Sequence, residues 1–476
     1  MSATRDNLLF ALASFVSDAR RDHDARVIRA AKDAMLDAFA VSLGALSHPA
    51  AQVARRYARH HEVPVGASLW GSGRIVTAET AALVNGVPLR GYDYNDLYMG
   101  KSGGHPSDMI PGLVAVAETR GLTGGTLLDA LLVGFEVTIE LFDAADLRSA
   151  GWDYPVVTAI GATCGIARLI GLSQTQTREA LAITVVSHFA SRESESNELN
   201  ERGDLTMWKR FNGSDAIRQS VYACLLAESG AEGVVRPFEG KHGFVAKAGI
   251  GSAEHARLLD RLTKNSASRI GEITYKRWPV GSRAQSAIQA ACEARAGVKD
   301  PWAIRSVRVH ADPQAYDHLV SQREEPFRPG SRETADHSLP CIVASAILDG
   351  EITVESFDPA RVTDPARLAF LAERVTVEPD EALKGGAATG FLTRVEITDA
   401  DGRVHIGEAK APPGHRDQPF VDADFDSKFA ANVNSRYGAV RSREIAGALR
   451  ALDSMPDVRE LTRLLVLADP RAIETA

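Results

Sequence analysis

The spacing of apolar residues changes near Ile273 and changes back near Phe425, and this pattern constrains the fold more than any other feature of the chain. Before the change the spacing is helical. Ile28, Ala31, Met35, Phe39 and Leu43 recur with Lys32, Asp33 and Asp37 between them, the signature of an amphipathic helix ended at Gly44. Residues 50–59, 77–87, 113–120, 127–141, 156–172, 176–185 and 214–229 continue in the same manner, and no strand alternation is evident up to about residue 270. After the change, Val307, Val309 and Ala311 alternate with Arg308 and His310, Val375 and Val377 flank Thr376, and Val395 and Ile397 alternate with polar neighbours. Asp401-Gly402 followed by Val404 and Ile406 predicts a hairpin. Two helical stretches, 284–296 and 339–348, lie among these strands, and 425–467 reads as helix again. The expected fold is mainly α. A large all-helical domain spans 1–269 and 415–476, and a smaller α+β domain spans 270–414.

A chain of 476 residues exceeds what one core usually accommodates, which agrees with two domains. The net charge of −8 argues against non-specific nucleic-acid binding, so an anionic ligand would need cations gathered locally. Cys164, Cys224, Cys292 and Cys341 are far apart, without a C-x-x-C pair, so no zinc ribbon or iron–sulfur site is expected. They read as small buried residues of a reducing compartment. Met1 to Asp24 mixes acids with bases and does not read as a signal peptide. The most apolar run, 127–142, is broken by Asp129, Glu136 and Glu140 and is too charged to span a bilayer. A soluble cytoplasmic protein with no membrane or nucleic-acid partner is expected.

Chemistry concentrates in residues 85–111. Asn85-Gly86 and Gly91-Tyr92-Asp93-Tyr94-Asn95-Asp96 precede Gly103-Gly104-His105-Pro106-Ser107. Two carboxylates and a histidine on a glycine-rich loop between apolar helices violate local rules, and such violations mark functional sites. The plain alternative is a turn in which Asp93 or Asp96 caps a helix. Elsewhere, Gly151-Trp152-Asp153 breaks the helical run, with Asp153 a cap and Trp152 a core anchor in the plain reading. The polar segment 191–204 reads as an exposed loop or a lid. Cations sit in pairs beside aromatics and glycines: Lys209-Arg210, Lys241-His242, Lys276-Arg277 with Arg283 near Pro279, and Arg332 with His337 ahead of a helix. Each pair alone suits a solvated face; several together suit a pocket for carboxylates. Neither a phosphate-binding G-x-x-x-x-G-K-S/T loop nor H-E-x-x-H occurs.

In their order and separations, these motifs resemble the MmgE/PrpD family, which includes 2-methylcitrate dehydratase, cis-aconitate decarboxylase and iminodisuccinate epimerase. The carriers are Asn85-Gly86, Asp93 to Asp96, His105-Pro106-Ser107, Gly151-Trp152-Asp153, Trp208-Lys209, Phe238-Glu239-Gly240, Lys276 with Pro279 and Gln285, and Ala335-Asp336-His337-Ser338-Leu339-Pro340. The resemblance implies an active site in the crevice between the two domains, a homodimer, and no cofactor, metal or iron–sulfur cluster. The family's catalytic positions fall on Asp93, His105, Lys209 and Lys276. Arg283, Gln285, Arg332 and His337 are expected to bind substrate carboxylates.

Departures from the family bear on the reaction. Decarboxylase-like members carry Gly-aromatic-His where this chain has Gly151-Trp152-Asp153, and a His where it has Gly281. Trp152-Asp153, Trp208-Lys209 and Asp336-His337-Ser338 look more like the dehydratase branch. That branch often has Glu and His between Pro279 and Gln285, where this chain has Gly281 and Arg283. The expected function is a cofactor-independent hydro-lyase acting on a hydroxylated di- or tricarboxylate, 2-methylcitrate or a relative. The alternatives are an epimerase, isomerase or decarboxylase using the same carbanion, or a non-catalytic carboxylate-binding protein. In the first, Asp93 and His105 are the acid/base candidates, and the lysines stabilise an enolate-like intermediate.

Overall fold

Alanine-rich, amphipathic segments assemble the larger part of the protein as packed helices. The computed structural model describes residues 5–18, 22–195, 200–201, 205–409 and 411–473. Asp24 caps the helix Ala25–Gly44 by accepting from the Arg26 N–H at 2.7 Å. The helices Gly124–Ala144 and Pro155–Ile170 pack face to face. Their backbones approach closely at Gly134 and Gly161: a methyl group at Gly161 would fall on the Thr138 hydroxyl and the Gly134 carbonyl. This is what the small residues of 156–172 permit. The helical segment Asp422–Arg450, broken by a kink at Gly438 (φ 73°), returns to pack on Ala25–Gly44, and Phe425, Phe429 and Val433 join the same buried cluster as Leu36 and Phe39.

Two details differ from the sequence reading. The larger part is not purely helical: β1 (Glu62–Ser68) pairs with β2 (Ile75–Val76), and β3 (Tyr98–Met99) with β4 (Gly103–Gly104), both antiparallel. β1 shows no inside–outside alternation, and the other three are two residues long, so no period-2 signal exists to be read. The helix expected from residue 214 begins at Trp208 instead. Its polar first turns are satisfied by distant partners, Arg210 donating to the Arg90 carbonyl at 3.2 Å and Asn212 to Asp153 at 2.5 Å.

The alternating segments form a four-stranded sheet in the order β6-β5-β7-β8, with β5 Ser306–Ala311, β6 Val375–Pro379, β7 Thr393–Thr398 and β8 Val404–Ala409. β5 runs parallel to β6, with Val307 opposite Val375, and antiparallel to β7, with Val309 opposite Val395. β7 and β8 form the expected hairpin around Asp401-Gly402. The helices Gln285–Arg295 and Leu339–Asp349 cover one side, burying Ile288, Ala291, Ile342 and Val343 against Val307, Val309, Val395 and Ile397 in a second cluster. We propose 269/270 and 414/415 as the boundaries between the two parts. Among the described residues no helix is long and apolar enough to cross a membrane.

Candidate active site

The loop that follows the helix Ala78–Leu89 holds Asp93 at φ 49°, a left-handed conformation unusual for a residue with a side chain. Such strain persists only where the surroundings over-determine it. Here Asp93 is buried, its carboxylate 3.1 Å from Lys276 Nζ and 3.2 Å from the Arg90 guanidinium. Lys276 also donates to the Asp93 carbonyl at 2.5 Å. Burial is the largest influence on Asp93 and opposes its charge. Lys276, then Arg90 and Lys209, outweigh it and hold the carboxyl well below its usual range. Lys276, only 1% exposed, is lowered to about 8, by burial first and by Arg90, against the pull of Asp93.

The second carboxylate of the loop has a different task. Asp96 accepts from the Ser107 amide at 3.1 Å and from its hydroxyl, and burial raises it to about 8. Its carbonyl accepts the Nδ1–H of His105 at 2.5 Å. That bond fixes the tautomer of His105 and leaves Nε2 as a lone pair. Burial, then Arg90 and Lys276, keep the imidazole well below its usual range, so it stands neutral. Tyr154 meets His105 edge-on at 5.2 Å, and Gly104 is pressed so closely on the Tyr154 ring that a Cβ there would overlap it.

A third group comes from the smaller part. His337, at the entry to the helix Leu339–Asp349, turns Nδ1 to the Asp336 carboxylate and accepts from Lys209 Nζ on Nε2 at 3.1 Å. Burial raises Asp336 to about 7, while burial and then Lys209 depress His337. With Nε2 accepting from the Lys209 ammonium, the single proton of the neutral imidazole lies on Nδ1 and is shared with Asp336, so the contact is not a pair of opposed charges. Lys209 stands in the first turn of Trp208–Glu228, where the positive end of the helix adds to its field. His337 Nε2 lies 3.8 Å from Asp93, which joins this group to the first.

Arg90 and Tyr154 line one cavity of about 410 Å³ between the two parts. Of the residues expected from sequence, Asp93, His105, Lys209, Lys276, Arg283 and His337 are there. Two are not among the lining residues. Gln285 spends its amide on the loop before its helix, accepting from the Arg277 and Trp278 N–H groups at 3.0 and 3.2 Å and donating to the Trp278 and Val280 carbonyls at 3.0 and 3.2 Å. With all these bonds made inside the chain, it shapes the Lys276 loop instead of meeting a ligand. Arg332 donates to the Val354 carbonyl at 2.7 Å and to Asp358 at 2.8 Å and lies over the Tyr92 ring.

Sequence reasoning passed over Arg90, Lys101, Arg148 and Arg192, which also line the cavity. Arg90, three residues before Asp93 at the end of an apolar helix, carried a legible signal, as did Lys101 between glycines; Arg148 and Arg192 did not. Among the described residues, seven cationic side chains face two carboxylates, Asp93 and Asp153. Asp153 is occupied, accepting from the Tyr154 N–H at 2.7 Å, the Ser194 hydroxyl at 2.5 Å and Asn212. Of the segment 191–204, residues 196–199 and 202–204 lie outside the described residues, so the lid reading falls partly there. Among the described residues no three His, Cys, Asp or Glu side chains converge as metal ligands.

The arrangement can bind several carboxylates, take a proton at a neutral imidazole and supply one from an ammonium or a shared proton. The profile of the MmgE/PrpD N-terminal domain matches residues 11–254, and that of the MmgE/PrpD C-terminal domain matches 278–454. A cis-aconitate decarboxylase of Homo sapiens is 25% identical over 457 residues, 92% of this chain and 90% of that one. A 2-methylcitrate dehydratase of Cupriavidus necator is 24% identical over 464 residues, 90% of each. An alkylcitrate dehydratase of Talaromyces stipitatus is 24% identical over 431 residues, 83% of this chain and 82% of that one.

Proposed function

The chain belongs to the MmgE/PrpD family, and on that premise we propose that it is a cofactor-independent hydro-lyase acting on a hydroxylated di- or tricarboxylate of the 2-methylcitrate kind. One observation carries the reading. A histidine with its Nε2 held as a lone pair shares a strongly cationic cavity with Lys209 and Lys276, the latter buried and lowered to about 8.

The cations hold the substrate carboxylates. His105 Nε2 removes a proton from the carbon next to a carboxylate. Charge then moves onto that carboxylate, where the buried Lys276 ammonium meets it. The departing hydroxyl receives a proton from the Lys209–His337–Asp336 group. Asp93, one of two acid/base candidates in the sequence, is already engaged by Lys276 and Arg90 and held ionised. Its role is to balance those cations and fix their positions. The expected homodimer and cytoplasmic location belong to this proposal as well.

A second reading, decarboxylation, draws on relatives named cis-aconitate decarboxylase. Against it, the position where decarboxylase-like members have a histidine is Asp153, whose oxygens are taken up by Tyr154, Ser194 and Asn212. Incubation with a panel of hydroxy-polycarboxylates and amino-dicarboxylates separates the readings. Absorbance of an unsaturated product at short ultraviolet wavelengths supports the hydro-lyase. Carbon dioxide release supports decarboxylation. Solvent deuterium incorporated without unsaturation supports an epimerase or isomerase, and binding without any turnover leaves a relic site.

A further inference from the structure

The helical segment Asp422–Arg450 sends one lysine into the interior of the helical part. The Lys428 ammonium has three hydrogens and three acceptors: Asp37 Oδ1 at 2.6 Å, the Lys276 carbonyl at 2.9 Å and the Tyr94 carbonyl at 3.0 Å. Its nitrogen lies 4.1 Å from the centre of the Tyr94 ring. The two carbonyls belong to the segments that carry the Asp93–Lys276 ion pair. One is the carbonyl next after that of Asp93, and the other is that of Lys276 itself. The segments are thus joined twice, by Lys276 reaching over to Asp93 and by Lys428 from behind. The reciprocal Leu97–Thr274 backbone bonds, each 2.8 Å, and the Tyr94 hydroxyl on the Arg277 carbonyl at 2.7 Å complete the seam.

Stability alone does not explain this arrangement. Burial raises Asp37 and lowers Lys428, so each resists its charged form. Asp37 Oδ2 has no hydrogen-bond partner among the described residues. Apolar pairs of similar volume commonly hold a fold as well as such an ion pair does. What an apolar pair cannot do is grip two backbone carbonyls at once, beside a residue held at φ 49°.

We propose that Lys428 is a positioning residue of the active site, a three-point ammonium that fixes the Asp93 segment against the Lys276 segment and so sets where both charged groups stand. Lys428 is not among the residues lining the cavity and acts through its neighbours. The inference rests on the reading of that cavity as catalytic.

The test replaces Asp37 and Lys428 together. In Asp37→Leu/Lys428→Met the buried charges are gone, and the thermal midpoint is expected within a few degrees of the parent. Turnover of the substrate found for the parent should fall about tenfold or more, since a misplacement of ~1 Å can cost a hundredfold, with KM changing less. Affinity for tricarballylate, an unreactive tricarboxylate, is measured alongside by calorimetry and should also weaken. Asp37→Asn/Lys428→Gln repeats the comparison with a neutral polar pair whose amide is too short for both carbonyls. A folded variant with parent-like turnover and tricarballylate affinity overturns the proposal. Failure of both variants to fold also overturns it, because Lys428 is then a determinant of the fold alone. If the parent turns over no polycarboxylate, the hydro-lyase reading fails, and tricarballylate affinity still reports whether Lys428 positions the site.

Discussion

Replacing Lys276 by Met keeps the length of the side chain and removes the charge that Asp93 leans on most. Lys276 is 1% exposed and donates to Asp93 twice, so water cannot take its place. Breaking a buried pair costs about 3–5 kcal/mol. Arg90 remains 3.2 Å from the carboxylate, so the lower figure, about 3 kcal/mol, is expected. The catalytic loss is separate: an ammonium that meets developing charge is worth about 2.7–4 kcal/mol, roughly a hundredfold to a thousandfold in turnover. The assay is initial rate against substrate concentration, well below the thermal midpoint of the variant. The midpoint itself comes from circular dichroism. A lower kcat with KM nearly unchanged is the expected pattern, because the interaction strengthens as charge develops. A folded variant with kcat within about threefold of the parent would refute the role given to Lys276.

The pH dependence of kcat/KM should show an alkaline limb near pH 8, where Lys276 loses its proton, and Lys276→Met should lack it. Bound substrate carboxylates favour the ammonium, so the limb in kcat should lie higher. Glu136 accepts from the Ser268 and Arg269 N–H groups, and burial still raises it from 4.5 to about 7. A carboxyl raised on folding stabilises below its unfolded value and loses that contribution as pH climbs to its folded one. The parent should therefore lose up to about 3 kcal/mol between pH 4.5 and 7 that Glu136→Gln does not lose, as read by denaturant unfolding at each pH. Exhaustive chelation should leave activity intact; loss reversed by added iron or zinc would contradict metal independence.

Period was the most legible property of the chain. The switch from 3.6 to 2 near Ile273 placed the four-stranded sheet, and Asp401-Gly402 placed its hairpin. What escaped had no local period to show: the two-residue strands, and the first turns of Trp208–Glu228, whose polar side chains look like loop until Arg90 and Asp153 are seen to satisfy them. The site divides similarly. Asp93, His105, Lys209, Lys276 and His337 stand in recognisable motifs and meet in one cavity. Gln285 and Arg332 stand in the same motifs but face inward or away, because a motif fixes chain position and not side-chain direction. Arg148, Arg192 and Lys428 matter only through contacts with residues distant in sequence.

The central claim is that one neutral histidine and one ammonium in this cavity carry out the chemistry. It is tested most directly by His105→Ala and Lys209→Ala, measured together for turnover on the identified substrate and for thermal midpoint. Both variants should fold with midpoints near the parent, since both side chains face the cavity, and both should lose about a hundredfold or more in kcat. Near-normal turnover in both would contradict the account, and so would failure of both to fold, which would make these residues supports of the fold and not agents of the reaction.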